Sequence, residues 1–542
     1  MEKRLSIFSI IPALLLIFSP QTAYTEQSGS WDPSRGVYTI QNETKNGIQL
    51  STEIGVSYKL TGAGAFFIEQ REFSGGFDGW INAHIGGDIG NTVSYYFEIG
   101  VGLLSAERRY LGEYQLKVDN SETAGIYSWP SAYFPYAYHG QWDGFVFPLD
   151  RLSAGGPTGW PDTLSIGFNM LGEITGAAFD NTLLWSLGRK RREWAAVSDG
   201  SSLVLNETAQ PFLGVELLFR PFPWFSFSSL TGMLEYFSSK GIKTSAETFQ
   251  NAFSLSMLDI DITKYVHINF GTTVIWPKRF ELGYLFPLID NMLYQNFIGD
   301  FDNAGLFGSI KLQMSGVGFL WASFFLDEMN FEENFFKLDR QMYALQAGLK
   351  AVLPMLPFAS VDLSYTKIEP YCYTHQKTAV PWYSVPMEQA YVNHGYGLGY
   401  YLPPNSDEIK LKMQMMPSFG TLLNIQFQMI RRGADYGDSA VDGSSYLSEL
   451  AESGRSSNPG LRKYFLQDGA YQWLYIIKGG LTHNFSRLPL ELYVEAGVVF
   501  SYWTDIDGNA NDGAPHPYRI IDTDTYPQRT GLIANIGIQI YR

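Results

Sequence analysis

The chain has 542 residues, of which 16% are aromatic and 17% charged, with 54 glycines and a net charge of −16. The acidic balance excludes nucleic acid as a partner, because phosphate binding requires a basic surface. A mean hydropathy of −0.09 excludes a helical membrane protein, whose spanning segments are apolar on every side, but it suits a barrel whose strands face lipid with every second residue.

The N-terminal residues have the pattern of a cleaved signal peptide. A short charged start precedes an apolar run from Leu5 to Phe18, and Ala23-Tyr24-Thr25 offers small residues where signal peptidase requires them. The alternative is an N-terminal membrane anchor, but the run is shorter than the ~20 residues of a spanning helix. We therefore predict an exported protein, with residues 1–25 as the signal peptide and residues 26–542 as one outer-membrane domain.

Alternating side chains predict transmembrane strands. From Val93 to Leu103, apolar residues alternate with polar or small ones over the length of a tilted membrane strand. The same alternation occurs at 54–60, 409–415, 423–429 and 535–541, and weaker patterns occur at 213–220, 226–236, 253–262, 266–276, 305–315, 317–327, 342–353, 358–367, 472–484 and 490–503. The last stretch of the chain resembles the C-terminal strand that barrel-assembly machinery recognises.

The connections between these strands differ in length. Residues 219–224 and 353–357 are compact and contain proline, as expected of periplasmic turns, whereas 376–405 and 434–470 are long enough for external loops. A short helix is expected at 440–455. The prediction is an all-β fold, a single transmembrane antiparallel β-barrel of about 16–18 strands with long external loops. The alternative is a soluble β-sandwich or propeller, whose strands also alternate.

Four stretches, in this order along the chain, resemble the capsule-assembly Wzi family of outer-membrane proteins. They are Gly188-Arg189-Lys190-Arg191-Arg192-Glu193-Trp194 with 200–205 and 209–212; Phe324-Phe325-Leu326-Asp327-Glu328; residues 365–375; and 391–395, 398–399 and 404–408 with Arg431-Arg432-Gly433. Together they span residues 180–433. The resemblance implies a barrel of about eighteen strands that binds surface polysaccharide and helps to hold a capsule on the cell.

Two groups of residues are candidates for polysaccharide binding. The basic cluster at Arg189, Arg191 and Arg192 suits anionic glycan or lipid phosphate, because guanidinium groups pair well with carboxylate and phosphate. Its alternative role is internal pairing with lumenal carboxylates such as Glu193 or Glu216. In a strand, Arg189 and Arg191 would share one face, and Lys190 and Arg192 the other.

Aromatic residues form the second group, since their rings stack on sugars. The alternative for them is an interfacial girdle or a self-packed loop. The predicted polysaccharide-binding residues are Arg189, Arg191, Arg192, Trp194, Tyr371, Tyr373, His375 and Tyr391.

No pattern in the sequence predicts catalysis. The histidines lack the paired spacing of a zinc site, and neither a nucleophile elbow nor a P-loop is present. Asp259 and Asp261 share a strand face but are expected to be solvated lumenal residues. The acidic segment 505–513 resembles a calcium loop without its terminal glutamate, and the single cysteine, Cys372, allows no internal disulfide.

We therefore predict a non-enzymatic outer-membrane protein without a metal or other cofactor. Its predicted partners are surface polysaccharide, outer-membrane lipid and, during insertion, barrel-assembly machinery. The alternative function is a porin or substrate-selective transport channel, in which lumenal charges would line a conducting path.

Overall fold

The computed structural model describes residues 24–32, 37–44, 49–105, 114–117, 126–129, 144–148, 164–234, 251–277, 279, 281–285, 290–299, 301–328, 342–369, 372–373, 389, 391–393, 396–433, 465, 470–485, 487–506, 518–522 and 527–541. These residues form the strands β1 (Tyr24–Asp32), β2 (Val37–Thr44), β3 (Gln49–Phe67), β4 (Glu72–Ile89), β5 (Val93–Ser105), β6 (Tyr114–Lys117), β7 (Ile126–Trp129), β8 (Gly144–Pro148), β9 (Leu164–Ala178), β10 (Leu183–Lys190), β11 (Phe212–Phe222), β12 (Phe225–Met233), β13 (Asn251–Thr263), β14 (Val266–Pro277), β15 (Asn303–Met314), β16 (Gly318–Glu328), β17 (Met342–Leu353), β18 (Ala359–Ile368), β19 (Val392–Asn393), β20 (Tyr396–Gly397), β21 (Ser406–Ser418), β22 (Thr421–Gly433), β23 (Ala470–Asn484), β24 (Leu490–Ile506), β25 (Tyr518–Ile521) and β26 (Arg529–Tyr541), and the helices α1 (Leu282–Leu285) and α2 (Asn291–Ile298).

Eighteen of the described strands close into one antiparallel barrel, which confirms the predicted fold class. The ring consists of β3–β5, β9–β18, β21–β24 and β26. Strand β26 pairs with β3 from Ser57 to Phe67, so the last strand of the ring hydrogen-bonds to the first. Closure leaves no open strand edge within the ring, which is the requirement for a barrel in lipid.

The two ends of the barrel differ in their connections. At one end, the short-turn end, adjacent strands are joined at 90–92, 179–182, 223–224, 264–265, 315–317, 354–358, 419–420 and 485–489. The other connections between neighbouring strands of the ring begin and end at the opposite, long-loop end. The predicted compact turns at 219–224 and 353–357 both lie at the short-turn end, and the two predicted loops fall at the long-loop end.

The outward face of the wall is apolar and exposed. In β26, Leu532 and Ile536 point outward and are exposed, whereas Ile533 and Asn535 point into the lumen and are buried. Six connections at the short-turn end also carry an exposed aromatic ring, at Phe179, Trp224, Tyr265, Phe358, Phe419 and Phe485. An apolar band with aromatic residues at its border is typical of a barrel that spans a membrane.

The lumenal face is polar where it borders open space, and it is apolar where chain from the long-loop end folds in and fills part of the lumen. A cluster of buried residues joins the inner wall to this inserted chain, including Phe253, Phe325 and Ile430 of the wall and Leu203 and Tyr373 of the insertions. Among the described residues, no helix is both long enough and apolar enough to cross a membrane.

The strand predictions agree with the structure wherever alternation was regular. The prediction for residues 342–353 matches β17 at both ends. Strands β4, β9 and β10, which are rich in glycine or short, were not predicted. The predicted helix at 440–455, most of the signal peptide (residues 1–23) and the acidic segment from 507 onward lie outside the described residues.

Candidate functional site: a loop folded into the lumen

Residues 191–211, which connect β10 to β11, fold into the lumen and are here called the plug. Its tip reaches the inner wall on the far side of the ring. The Ser198 hydroxyl donates a hydrogen bond to Asp362 of β18, and Asp199 pairs with Lys350 of β17, with Nζ and Oδ2 3.3 Å apart. The plug is therefore attached to two walls and crosses the lumen between them.

Arg192 fixes the base of the plug. Its Nε donates to Glu216 Oε1 at 2.6 Å, and its two terminal nitrogens donate to the carbonyl oxygens of Gly188 at 2.7 Å and Phe212 at 2.6 Å. The residue is only 5% exposed. Internal pairing with Glu216, one of the two roles considered for this arginine, is thus present, and the guanidinium ties the end of β10 to the start of β11.

Short polar side chains hold the plug in shape. The Ser202 hydroxyl accepts hydrogen bonds from the backbone N–H groups of Val204 and Leu205. Asn206 donates to the carbonyl oxygens of Gly200 and Ser202 at 3.1 and 3.0 Å. Both side chains are fully buried. Since an unpaired backbone group is costly when buried, these contacts allow an irregular loop to lie inside the barrel.

A second inserted segment, from the β18–β21 connection, packs against the plug. The rings of Tyr373 and Tyr391 stack with centroids 5.7 Å apart, and Tyr373 also stacks on Phe325 of β16 at 5.3 Å. The Tyr373 hydroxyl donates to the Leu203 carbonyl of the plug at 2.7 Å. Gly399 lies under this ring, where a Cβ would be 2.4 Å from a ring carbon. Tyr373, supported by Tyr391, thus binds the two insertions together.

Glu408, at the inner wall, organises the end of this second segment. It accepts hydrogen bonds from the hydroxyls of Tyr400, at 2.7 Å, and Tyr401, and from the amide of Gln428 at 2.7 Å. Lys410 donates to the Tyr400 hydroxyl at 3.0 Å. The carboxylate is 1% exposed, so its charge is compensated by these donors rather than by water.

A lumenal chamber remains beside the plug, with a volume of about 390 Å³. Its walls come from β3, β21–β24 and β26, and the plug supplies Asp199 and Glu207. Its charged lining consists of Lys59, Lys412, Lys478, Asp199, Glu207, Glu491 and Glu495. Lys478 and Glu495 pair at 3.3 Å. Both signs of charge therefore face this space, beside neutral groups such as Asn424 and Tyr493.

The plug carries two acidic residues whose protonation is sensitive to their surroundings. Burial, followed by the negative charge of Glu207, raises the pKa of Glu193 to about 7. Burial also raises the pKa of Glu207, against the opposing effect of Lys412. Because the two carboxyl groups repel each other when both are ionised, the charge of the plug changes with pH near neutrality.

The structure separates the predicted binding residues into three groups. Arg189 points outward at the end of β10, where it donates to the Met170 carbonyl at 2.8 Å. Arg191 donates to the carbonyls of Glu207 and Ala209 within the plug, and Trp194 is half-buried against the core. Arg192, Tyr373 and Tyr391 are buried, so each holds protein groups rather than presenting a free surface. Tyr371 and His375 lie outside the described residues. Contact of these residues with polysaccharide stays a prediction.

Several residues that build the site were not predicted from the sequence. Ser202, Asn206 and Asn393 act through hydrogen bonds to backbone carbonyls, and Asn393 joins the second segment to Gln210 of the plug at 2.8 Å. The only sequence signal was indirect, because these residues fall within or beside the stretches that resemble the Wzi family. Polar residues of this kind have no characteristic spacing.

The described residues contain no group of three histidine, cysteine or acidic side chains that could hold a metal ion. Asp259 and Asp261 do share the lumenal face of β13, as predicted from their spacing. His267 of β14 lies between them, with its ring nitrogens 3.5 and 2.9 Å from the two carboxylates.

No protein-family model and no curated protein matches the sequence. Among solved structures, the chain is similar to Wzi, an outer-membrane protein involved in group 1 capsule assembly in Escherichia coli and a carbohydrate-binding β-barrel, with 10% identity and a TM-score of 0.45 over 89% of this chain and 84% of that one. It is also similar to OpdQ of Pseudomonas aeruginosa, with 7% identity and a TM-score of 0.40 over 91% and 97% of the two chains, and to OccAB4 of Acinetobacter baumannii, with 7% and 0.39 over 90% and 98%. These values do not assign the chain to a family.

Proposed function

We propose that this protein is a non-enzymatic outer-membrane β-barrel that binds or anchors surface polysaccharide, with its lumen closed to bulk flow by the plug. The long-loop end faces the outside of the cell and the short-turn end faces the periplasm, as is usual for bacterial outer-membrane barrels. Export through the predicted signal peptide is part of this proposal.

Placement in the membrane is supported by the outward face of the barrel. Exposed leucine, isoleucine, valine and phenylalanine side chains occupy alternate positions around the ring. In water, so large a contiguous apolar surface would favour aggregation, whereas in lipid it is the expected surface of the protein.

The attachment of the plug to opposite walls is the observation that carries the proposal. A loop that only lined a pore would lie along the part of the wall from which it emerges. Here the tip is fixed by Asp362 and Lys350, the base by Arg192 and Glu216, and the middle by Tyr373. Such a plug narrows the path for solutes and provides a rigid platform for loops that bind a large external ligand.

The second candidate function is a substrate-selective channel, which the lumenal chamber favours. Three lysines and four carboxylates line a space of about 390 Å³ beside the plug. A solute with charges of both signs could pair with such a lining. The two functions make opposite predictions about current through the barrel.

Planar-bilayer recording separates the two candidates. We expect the intact protein to give little or no steady current, and a variant in which residues 196–201 are replaced by a short Gly-Ser linker to give a large one. A large steady current through the intact protein would contradict a closed lumen and favour the channel.

Retention of polysaccharide by intact cells tests the binding function itself. We expect Arg189→Gln to reduce the amount of surface polysaccharide that the cells hold, because Arg189 lies at the external rim. Arg220→Gln is the matched control, since Arg220 is exposed at the opposite, short-turn end. Equal retention by both variants, and by cells that lack the protein, would contradict the proposal.

A further inference from the structure

One part of the outward wall breaks the apolar pattern. In the half of β12–β14 nearer the long-loop end, hydroxyl side chains take five outward positions, beside the apolar residues Met233, Ala252, Val274 and Trp276. The hydroxyl residues are Ser229, Thr231, Ser254, Ser256 and Thr272. Elsewhere on β14, the outward position is filled by an apolar residue such as Phe270. A patch of hydroxyls without partners would be unfavourable against lipid.

The β14–β15 connection folds back over this patch on the outside of the barrel. We name α1, α2 and the adjoining residues Arg279, Glu281 and Asp290 the outer cap. The hydroxyls of Thr231 and Ser254 lie 3.1 and 3.0 Å from the Tyr284 carbonyl oxygen of α1. Thr272 donates to the carboxylate of Asp290, the N-cap residue of α2, at 2.8 Å. The cap therefore accepts hydrogen bonds from Thr231, Ser254 and Thr272, and Asn291 of α2 donates to the Ser256 hydroxyl at 3.4 Å.

Packing and an ion pair hold the outer cap against the wall. The ring of Tyr284 packs on Trp276, with centroids 4.7 Å apart, in a cluster with Ala252 and Val274 that is separate from the lumenal core. The Tyr284 hydroxyl donates to Asp302 at 2.7 Å, and Arg279 pairs with the same carboxylate at 2.9 and 2.5 Å. The cap is thus a fixed layer of the outer wall.

The surface that the outer cap turns away from the barrel is mainly apolar, with Asn296 as the exposed polar side chain of α2. Leu282, Leu285, Leu293 and Phe297 are exposed, and Phe297 is 88% exposed. In water, these side chains would form an apolar patch without a partner. The polar side chains of α2 that are buried, Asn291 and Gln295, face the wall instead.

The outer cap borders the apolar belt of the wall directly. On β14, Thr272 donates to Asp290 of the cap, and Phe270, the next outward residue towards the short-turn end, is 44% exposed. On the neighbouring strand β15, the outward side chains of Ile310 and Leu312 are also exposed. The apolar side chains of the cap therefore continue this belt around the barrel.

We propose that the outer cap is a lipid-contact surface, with Leu282, Leu285, Leu293 and Phe297 lying against the acyl chains of the external leaflet. The proposal rests on the membrane-spanning barrel proposed above. It gives the cap a physical role: polar strand residues bind the cap on its inner side, and the cap presents lipid with the apolar surface that those strands lack. Continuity with the belt favours lipid over a second copy of the chain.

Spin-label accessibility in lipid vesicles tests this assignment. The spin label is attached to the cysteine of Phe297→Cys or Leu293→Cys. The native Cys372 is fully buried, and treating the wild-type protein with the label measures any background reaction at that cysteine. We expect both labels to collide with oxygen several-fold more often, relative to a water-soluble nickel chelate, than a label at Gln528, which is exposed near the start of β26. Ile81→Cys, on the outward face of β4, is the lipid-facing control.

The other possible results distinguish a failure of the lipid contact from a failure of the membrane-spanning barrel. Water-like labels at 293 and 297, with a lipid-like label at 81, would overturn the lipid contact but leave the membrane-spanning barrel intact. Water-like labels at all three positions would contradict the membrane-spanning barrel itself. Strong spin–spin broadening at 297 would show that a second copy covers the cap, and would also overturn the proposal.

Discussion

Arg192 shows how one buried charge can organise an inserted loop. Its guanidinium satisfies Glu216 and the carbonyls of Gly188 and Phe212 in one planar arrangement. Lysine could not reproduce this geometry, because an ammonium group lacks the planar array of five donors. Lys190 lies 3.2 Å from the same carboxylate, so the base of the plug concentrates two cations around Glu216.

We expect Arg192→Met to loosen the plug without opening the barrel. Removing one partner of a buried pair costs about 3–5 kcal/mol, although Lys190 will retain part of the compensation for Glu216. An effect of about 3 kcal/mol corresponds to roughly 100-fold faster amide hydrogen exchange at Trp194 and Asn206. Arg189→Met, at the rim, should leave that exchange unchanged. Equal exchange in both variants would contradict the anchoring role.

Glu193 gives the plug a dependence on pH. Because folding raises the pKa of this carboxyl to about 7, the folded plug binds more protons than the released loop at intermediate pH. Plug stability is therefore greatest in acid, falls as pH rises from the unfolded pKa near ~4.3 to about 7, and is level above that range.

We expect hydrogen exchange in the plug, corrected for intrinsic rates, to be faster at pH 8 than at pH 5. Glu193→Gln should remove most of this difference, since a neutral amide cannot titrate. Glu98→Gln, in the wall strand β5, should preserve it. If hydrogen exchange in the wild-type plug does not depend on pH after this correction, the burial of Glu193 is contradicted.

At the scale of elements, the plug and the second inserted segment act as one unit. They contact each other through Tyr373 and Leu203, through Asn393 and Gln210, and through the Asn206 N–H, which donates to the Leu398 carbonyl at 2.8 Å. Neither insertion contains a long helix or strand among its described residues, so their stability comes from these mutual contacts and from the wall.

Tyr373→Phe isolates one of these contacts. The variant keeps the ring stacked on Tyr391 and Phe325 but leaves the Leu203 carbonyl without its donor, at a cost of about 1–3 kcal/mol. We expect flickering current in planar bilayers, because the two insertions separate transiently. Tyr365→Phe removes a hydroxyl from the outward wall, where it donates to Asp407, and should leave the current unchanged. Identical recordings from the two variants would argue against coupling of the insertions.

At the scale of the whole molecule, the barrel sorts side chains by environment. Strand β26 illustrates this, since Ile536 and Ile538 face outward while Asn535 and Gln539 face the lumen. The seam with β3 requires both strands to keep this alternation in register. A shift of one residue would place the polar set against lipid.

Ile536→Arg should therefore destabilise the folded barrel by about 2–4 kcal/mol, the usual cost of a charge on the lipid face near the membrane centre. Gln539→Arg, three residues away on the lumenal face, should be tolerated, because the chamber is polar. The folded fraction after refolding into vesicles, measured from heat-modifiable gel mobility across a denaturant series, compares the two. Equal destabilisation would contradict the assignment of the two faces.

The sequence by itself determined the fold class and most of the wall. Alternation is a local pattern that two environments impose on each strand. Both ends of β17, at Met342 and Leu353, could therefore be predicted from the local sequence alone. Alternation failed for β4 and β9, because glycine replaces a side chain wherever a neighbour fills the space, and for β10, which is only eight residues long. Gly176, for example, lies under Trp185, where a Cβ would be 2.4 Å from the indole ring.

Only the tertiary structure decided which loops enter the lumen and which fold outside. Ser198 and Asp362 are 164 positions apart in the chain, and Thr231 meets Tyr284 only because the intervening strands align them. Pairing of Arg192 with Glu216 was one of two roles that the sequence allowed, and the structure contains that pair. Such contacts depend on which strands become neighbours on closure of the ring, and that information is shared by the whole chain rather than held in any one segment.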